Sequence, residues 1–506
     1  MKPYDFENLF ILDLANNHQG DLDHARRIIR ECGKVAQDCG VRAALKFQFR
    51  DLDTFVHPAH QQSSSNKHIP RFLSTRLNEA DFDLLADEVR HAGMITMATP
   101  FDEASIEWID RLDIEVIKVA SCSAADHPLL QHIVQSCRPI VASTAGLDGQ
   151  NLDHLVSLLE HHNRSFAIMH CVAIYPTPND QLKLSQVDFL RTRYRGVPIG
   201  FSTHEKPEEL TPIVAAVAKG ATLYERHVGI GTDNYKLNAY SSTPAHLQSW
   251  FEAWRAAVAM CGGSRRSPAR PEEMESLISL KRGVFAKRPI QAGEELDTSN
   301  VYFAMPLSAG QLDTSGWQKG LRADRSYEKD ESISERLVAP GDDPEDIVYQ
   351  IILQVRGMFN KARIMFGKDS KIEISHHYGL ERFREFGAVI VDCVNRGYCK
   401  KLIAILPRQK HPYHYHKQKE ETFQLLSGDL EVEVDGNQIS LRPGDTILVE
   451  PGCWHKFQSL NGAIFEEIST THYNNDSYYE DQRIARLPRE VRKTELPNWE
   501  AAIPHT

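Results

Sequence analysis

At 506 residues the chain exceeds what one ordinary hydrophobic core serves, so two or three domains are expected. A formal charge of −11 argues against a general nucleic-acid binder, which needs a basic face, and no run of about eighteen apolar residues suggests a membrane span. Nine scattered cysteines without a CxxC pair read as reduced thiols, and the opening "MKPYDFENLFILDLANNHQG" lacks the pattern of a secretory leader, so the expected location is cytoplasmic.

From residue 9 to about 260, β-type runs alternate with amphipathic helical runs. Eight strands are predicted at "LFILDLAN", "AALKFQF", "ITMATPF", "VIKVAS", "PIVAST", "FAIMHCV", "PIGFSTH" and "LYERHV". Between and after them lie helical patterns such as "DHARRIIRECGKVAQDCG", "EADFDLLADEVRHAG" and "PAHLQSWFEAWRAAVAM". Eight βα units specify a (β/α)8 TIM barrel over 1–265, and a doubly wound sheet is the weaker alternative because no GxGxxG turn is present. A Pro- and charge-rich link, Pro268 to Glu273, leads to a small β-rich module over 275–340. "VAPGDDPEDI" reads as a second linker. The remainder, 345–506, carries alternating runs separated by turn pairs such as Ser427-Gly428 and Asp435-Gly436, the pattern of an antiparallel β-barrel or jelly roll.

In the eighth strand, "YERHVGI" places Glu225, Arg226 and His227 where burial is expected, and unpaired charges there cost several kcal/mol unless a ligand or metal compensates. A TIM barrel builds its active site at the C-terminal ends of its strands. Lys46, Thr99, Lys118, Ser121, Ser143, His170, Ser202, His204, Glu225 and His227 all fall at or just after strand ends. His204 and His227 can meet at one divalent metal with positions left for substrate and water. Lys46 and Lys118 with the hydroxyls of Thr99, Ser121, Ser143 and Ser202 suit a phosphate and a carboxylate.

The ordered blocks "NNHQGD", "LKFQ", "ATPFDE", "IKVAS", "STAG", "YPTP", "GFSTHE" and "YERHVG" resemble the signature of the sialic acid synthase family, which condenses phosphoenolpyruvate with an aldose. "RGVFAKRPIQAGEEL" resembles the antifreeze-like (SAF) module that follows the barrel in that family. The resemblance implies phosphoenolpyruvate at Lys46, Thr99, Lys118, Ser121, Ser143 and Ser202, Mn2+ or Mg2+ at His204 and His227, and Glu225 against the acceptor sugar. It also implies a domain-swapped homodimer in which the SAF module roofs the partner's site. Four positions depart from the family pattern: Asp13 replaces Glu, Lys183 replaces Asn, Met305 replaces Arg, and only Asp233 lies near the aspartate expected around Leu237 or Asn238. In the family these positions chiefly face the acceptor sugar, so the resemblance implies an acceptor that differs from N-acetylmannosamine. Asp13 and Glu225 are the candidate catalytic carboxylates and Lys183 a candidate substrate-binding residue.

In the last segment "HYHKQKEETFQLLSG" and "PGCWH" resemble the two cupin motifs. Residues two apart on a strand share a face, so His414 and His416 project together, and Glu421 and His455 complete the set for a second divalent metal. Three functional readings follow. The first is a synthase of a nonulosonic or related 3-deoxy-ulosonic acid for surface glycans. The second is an aldolase or isomerase on the same barrel using Lys46 or Lys118, and the third is a sugar-binding protein with a decayed acceptor site.

Overall fold

The computed structural model describes residues 3–62, 65–263, 267–318, 320–337, 344–473 and 475–501. The boundary expected at 265, the linker positions 338–343 with Pro340, and the chain end at Thr506 lie outside the described residues. Two compact units are present, Met1–Ser267 and Pro268–Thr506. Among the described residues no helix is long and apolar enough to cross a membrane.

The first unit is a closed parallel barrel of β1 (Leu9–Asp13), β2 (Arg42–Phe49), β3 (Ile95–Pro100), β4 (Val116–Val119), β5 (Ile140–Ser143), β6 (Phe166–Cys171), β7 (Ile199–Thr203) and β8 (Leu223–His227). Strand β8 pairs with β1, which closes the ring. All eight strands coincide with the runs expected from sequence. Helix starts follow local chemistry: Asn78 and Asp81 form a reciprocal capping box, and Thr243 caps a helix that has Pro244 in its first turn.

Two apolar layers result from strand alternation. Leu9, Ile11, Ala44, Met97, Val116, Val141, Ala167, Met169 and Leu223 fill the barrel interior. Phe10, Leu45, Ile117, Ile168, Phe201 and Tyr224 face the opposite way, into the shell of helices. This parity decides where each polar residue goes. Continuing the inner set by twos brings Asp13, Lys46, Gln48, Thr99, Lys118, Ser143, Cys171, Ser202, Glu225 and His227 into the C-terminal mouth.

In the second unit the link expected over Pro268–Glu273 is shorter than expected, because a helix opens at Pro271 and runs to Ser279. Proline fits a helix's first position, where no hydrogen bond is lost. Next, β9 (Gly283–Ala286) pairs antiparallel with β10 (Val301–Ala304), and Val284, Ile290, Leu296, Leu321, Tyr327 and Ile333 help form a small core of their own. The last part of the expected second linker is also helical. Pro344 opens a helix to Ala362 whose Val348, Ile351, Ile352, Val355 and Phe359 pack on Ile372 and Ile374.

Twelve strands follow: β11 (Lys371–Ser375), β12 (Ala388–Asn395), β13 (Tyr398–Ile405), β14 (His414–Tyr415), β15 (Glu421–Gly428), β16 (Leu430–Val434), β17 (Asn437–Leu441), β18 (Thr446–Val449), β19 (His455–Gln458), β20 (Ala463–Thr470), β21 (Tyr478–Tyr479) and β22 (Lys493–Leu496). They form sheets ordered β18-β15-β20-β13-β12-β11-β22 and β17-β16-β19-β14-β21. Asp435 and Gly436 both have positive φ, the tight hairpin turn that a right-handed β twist favours between β16 and β17. Phe423, Leu425, Phe457 and Phe465 pack between the sheets.

Candidate active site and metal centre

The mouth of the barrel holds a balanced quartet of buried charges. Lys46 bridges the two candidate carboxylates, ion-paired to Glu225 and 2.9 Å from Asp13. Lys118 lies 3.4 Å from the other Glu225 oxygen and donates to Ser143 Oγ at 2.6 Å. Burial pushes both carboxyls upward, but Lys46, with His227 at Asp13 and Lys118 at Glu225, outweighs it and holds both below their usual range. Burial lowers Lys118, whereas Asp13 and Glu225 overcome the same effect at Lys46 and raise it. Removing one partner of such a buried pair costs about 3–5 kcal/mol because the other charge is stranded.

His204 follows β7 and His227 ends β8, with ring centroids 5.3 Å apart. The Nδ1 of His204 meets the Val172 carbonyl at 3.0 Å, leaving Nε2 free. The Nε2 of His227 stands 3.5 Å from Asp13, and its buried Nδ1 has no hydrogen-bond partner among the described residues. Burial, aided by His227, pulls His204 down to about 4, and burial lowers His227 as well, so both imidazoles are neutral, the form that binds metal. Two neutral imidazoles beside a carboxylate fit a catalytic divalent ion with open positions.

The hydroxyls divide into three kinds. Thr99 Oγ1 is buried without a hydrogen-bond partner among the described residues, and Ser143 is taken by Lys118. Ser121, half-buried, accepts from the Ala145 amide at 3.1 Å, and Ser202 is buried at the end of β7. Lys183 is not brought into this group. It is exposed on the loop after β6, with positive φ. His170 is a correction: its parity is that of Ile168, so it faces the shell, meeting the Leu182 carbonyl at 2.7 Å and stacking on Phe201. Asp233 is exposed, and Asn238 approaches Asn17 at 3.5 Å. Met305 is also exposed.

Arg226 has outward parity too, which resolves the buried run in β8. It pairs with Glu205 at 2.9 Å and lies over the Trp250 ring at 5.2 Å. Tyr175 and Tyr240 flank the histidines at 4.3 Å from His204 and 5.1 Å from His227. Tyr175 opens the block "YPTP" but the motif gives it no role, and no motif marks Tyr240, which sits on a loop.

In the cupin-like barrel His414, His416 and His455 present one ligand atom each, all within 4.8 Å of one another. His414 and His455 face each other as register partners of β14 and β19. Each Nδ1 contacts a backbone carbonyl: Pro412 for His414 at 3.0 Å, Asp476 for His416, Cys453 for His455 at 3.1 Å. Such anchoring fixes the rings and turns Nε2 inward. Glu421 Oε2 lies 3.0 Å from His455 Nε2 and 3.5 Å from His416 Nε2. Its other oxygen is ion-paired to Lys419, which also reaches Glu467 at 3.1 Å. Burial brings His416 to about 4 and holds His414 well below the usual histidine range, whereas Lys419 and His416 overcome burial at Glu421 and hold it low. Three converging imidazoles and an ionised carboxylate oxygen fit a divalent ion.

The NeuB family model matches residues 34–266, and the cupin domain model matches residues 401–463. The chain is 28% identical over 342 residues to the N-acetylneuraminate-9-phosphate synthase of Homo sapiens, spanning 65% of this chain and 92% of that protein. It is 24% identical over 357 residues to the N,N'-diacetyllegionaminic acid synthase of Campylobacter jejuni, spanning 65% and 99% respectively. A crystal structure assigned to spore coat polysaccharide biosynthesis protein E of Chromobacterium violaceum is similar with a TM-score of 0.64 and 42% identity, over 66% of this chain and 100% of that one.

Proposed function

We propose that this chain, which belongs to the NeuB family of sialic acid synthases and carries a C-terminal cupin domain, joins phosphoenolpyruvate to an aldose to give a nonulosonic or related 3-deoxy-ulosonic acid. The observation that carries the reading is the buried quartet of Asp13, Lys46, Lys118 and Glu225 beside two neutral histidines. Lys46 and Lys118 bind the phosphate and carboxylate of the donor, with Thr99, Ser121, Ser143 and Ser202 donating hydroxyl hydrogen bonds. His204 and His227 hold Mn2+ or Mg2+, and what the ion supplies is Lewis acidity toward an aldehyde oxygen.

The donor's C3 forms the new bond to the aldehyde carbon, water adds at C2, and the C2–O bond to phosphate breaks. Asp13 and Glu225 stay ionised beside the lysines, so one of them is placed to take the proton that the adding water loses, and a proton returns to the former aldehyde oxygen, which becomes a hydroxyl as phosphate leaves. A second reading, a Schiff-base aldolase, draws on the burial-lowered proton affinity of Lys118. Borohydride trapping with pyruvate tests it. We carry over the SAF-like segment 275–340 as the roof of a partner's site in a homodimer, and the segment 345–506 as a second, sugar-directed metal domain.

Phosphate release from phosphoenolpyruvate over an aldose panel, with the product mass, tests the main reading. Mass equal to donor plus aldose plus water less phosphoric acid supports it, and no release with any aldose overturns it. Light scattering near 57.4 kDa, the monomer mass, would remove the dimer.

A further inference from the structure

Arg50 lies one residue beyond β2 and keeps the inward parity of Lys46 and Gln48. Its guanidinium donates to Gln48 Oε1 at 3.1 Å, and Gln48 reaches Asp13 at 3.3 Å, so Arg50 is two contacts from the reacting carboxylate. It lies over the Phe101 ring at 3.6 Å and the Phe72 ring at 4.1 Å. Among the described residues its buried Nε has no hydrogen-bond partner and no carboxylate comes within 4.0 Å of it. The neighbour of Phe72, Arg71, is exposed and likewise lacks a carboxylate among the described residues, bonding Gln19 Oε1 at 2.7 Å and the Asn16 carbonyl at 3.0 Å.

Two guanidinium groups that have no carboxylate partner among the described residues are unexpected in a chain of net charge −11. Stacking on phenylalanine returns only part of what desolvating a cation removes, so the site is short of an anion. Burial draws Arg50 down to about 10, which leaves it charged at neutral pH. The phosphate and carboxylate of the donor already have Lys46, Lys118 and four hydroxyls. We propose that Arg50, assisted by Arg71, binds an anionic group on the acceptor, which is therefore a sugar phosphate or a sugar acid rather than a neutral aldose. This rests on the condensation reading and narrows its acceptor class.

The test uses the full-length protein saturated with Mn2+ and titrated calorimetrically with N-acetylmannosamine, its 6-phosphate and the corresponding uronic acid. At least one anionic sugar is expected to bind ten-fold or more tighter than the neutral one, and whichever of the two does so identifies the anion. R50Q and R71Q should each erase most of that preference, R50K should restore part of it, and the KM for phosphoenolpyruvate should stay within about two-fold. Arg71 is exposed, so R71Q decides the matter if R50Q does not fold. Equal binding of neutral and anionic sugars overturns the proposal, as does an R50Q effect falling on phosphoenolpyruvate instead. Charge-selective binding without phosphate release from any sugar would sink condensation and spare this inference; release with neutral aldoses alone would do the reverse.

Discussion

The chain contains two buried clusters of lysine, carboxylate and histidine, and they differ in how complete they are. In the cupin barrel each histidine is anchored through Nδ1 to a backbone carbonyl and the three ligand atoms already converge. In the TIM barrel, among the described residues, only His204 of the two is anchored, His227 Nδ1 and Thr99 Oγ1 have no hydrogen-bond partners, and two lysines share two carboxylates. On the proposed reading the first arrangement would be finished by an ion alone. The second would need an ion together with the donor's carboxylate and phosphate, for which its lysines would exchange the anions they now hold. A preorganised site and an unfinished one thus use the same residue types.

The largest effect that would break this contrast is loss of the barrel ion. His204→Ala or His227→Ala, or treatment with EDTA, should lower phosphate release by about 10³-fold or more, since a catalytic ion supplies several kcal/mol. Full activity after chelation, with no metal detected in the protein, would remove the ion from the reaction. Next in size is the cupin: His414→Ala, His416→Ala or His455→Ala should each remove one metal per chain by elemental analysis while the other remains. Unchanged stoichiometry in all three would mean the converged histidines hold no ion.

Smaller is the donor contact. Lys118→Ala should raise the KM for phosphoenolpyruvate by roughly 10- to 100-fold, the range of a lost charged hydrogen bond of about 1.5–3 kcal/mol. An unchanged KM would detach Lys118 from the donor.

A last effect falls on folding rather than on turnover and concerns acid stability. Burial, with Arg71, takes His18 in the TIM barrel to about 4, and burial, with His455, takes His411 in the cupin to about 3. Below the ordinary histidine value near 6.5 the unfolded chain binds these protons and the native chain refuses them. Stability present above pH 6.5 is therefore lost as pH falls, through about 4 for His18 and about 3 for His411. The slope is about 1.4 kcal/mol per pH unit for each withheld proton. Urea midpoints at half-unit intervals from pH 7 to 4.5 should decline, and a midpoint that rises on acidification contradicts it.

Much of this was legible in the sequence because it obeys short-range rules. The eight strands were legible as alternating runs, and the convergence of Lys46, Lys118, Glu225 and His227 followed from strand ends sharing one rim. Position 170 shows where strand-end reasoning fails: it is the parity within β6, not nearness to its end, that sends His170 into the shell. Lys419 and Glu467 are 48 residues apart, and Arg50 meets Phe72 and Phe101 only after the chain has folded, so no local pattern marks either group. The helix from Pro344 was hidden because a proline beside acidic residues serves a linker and a helix start equally well.

Strand β8 carries one last consequence. It supplies Glu225 and His227, and it is also the strand whose pairing with β1 closes the ring. The contact between Lys46 and Glu225 therefore joins residues 179 apart across that seam, and it exists only in a closed barrel. Returning turnover during refolding is thus a clock for closure: it should start when the seam zips, later than the recovery of helical signal from the βα units that assemble before it.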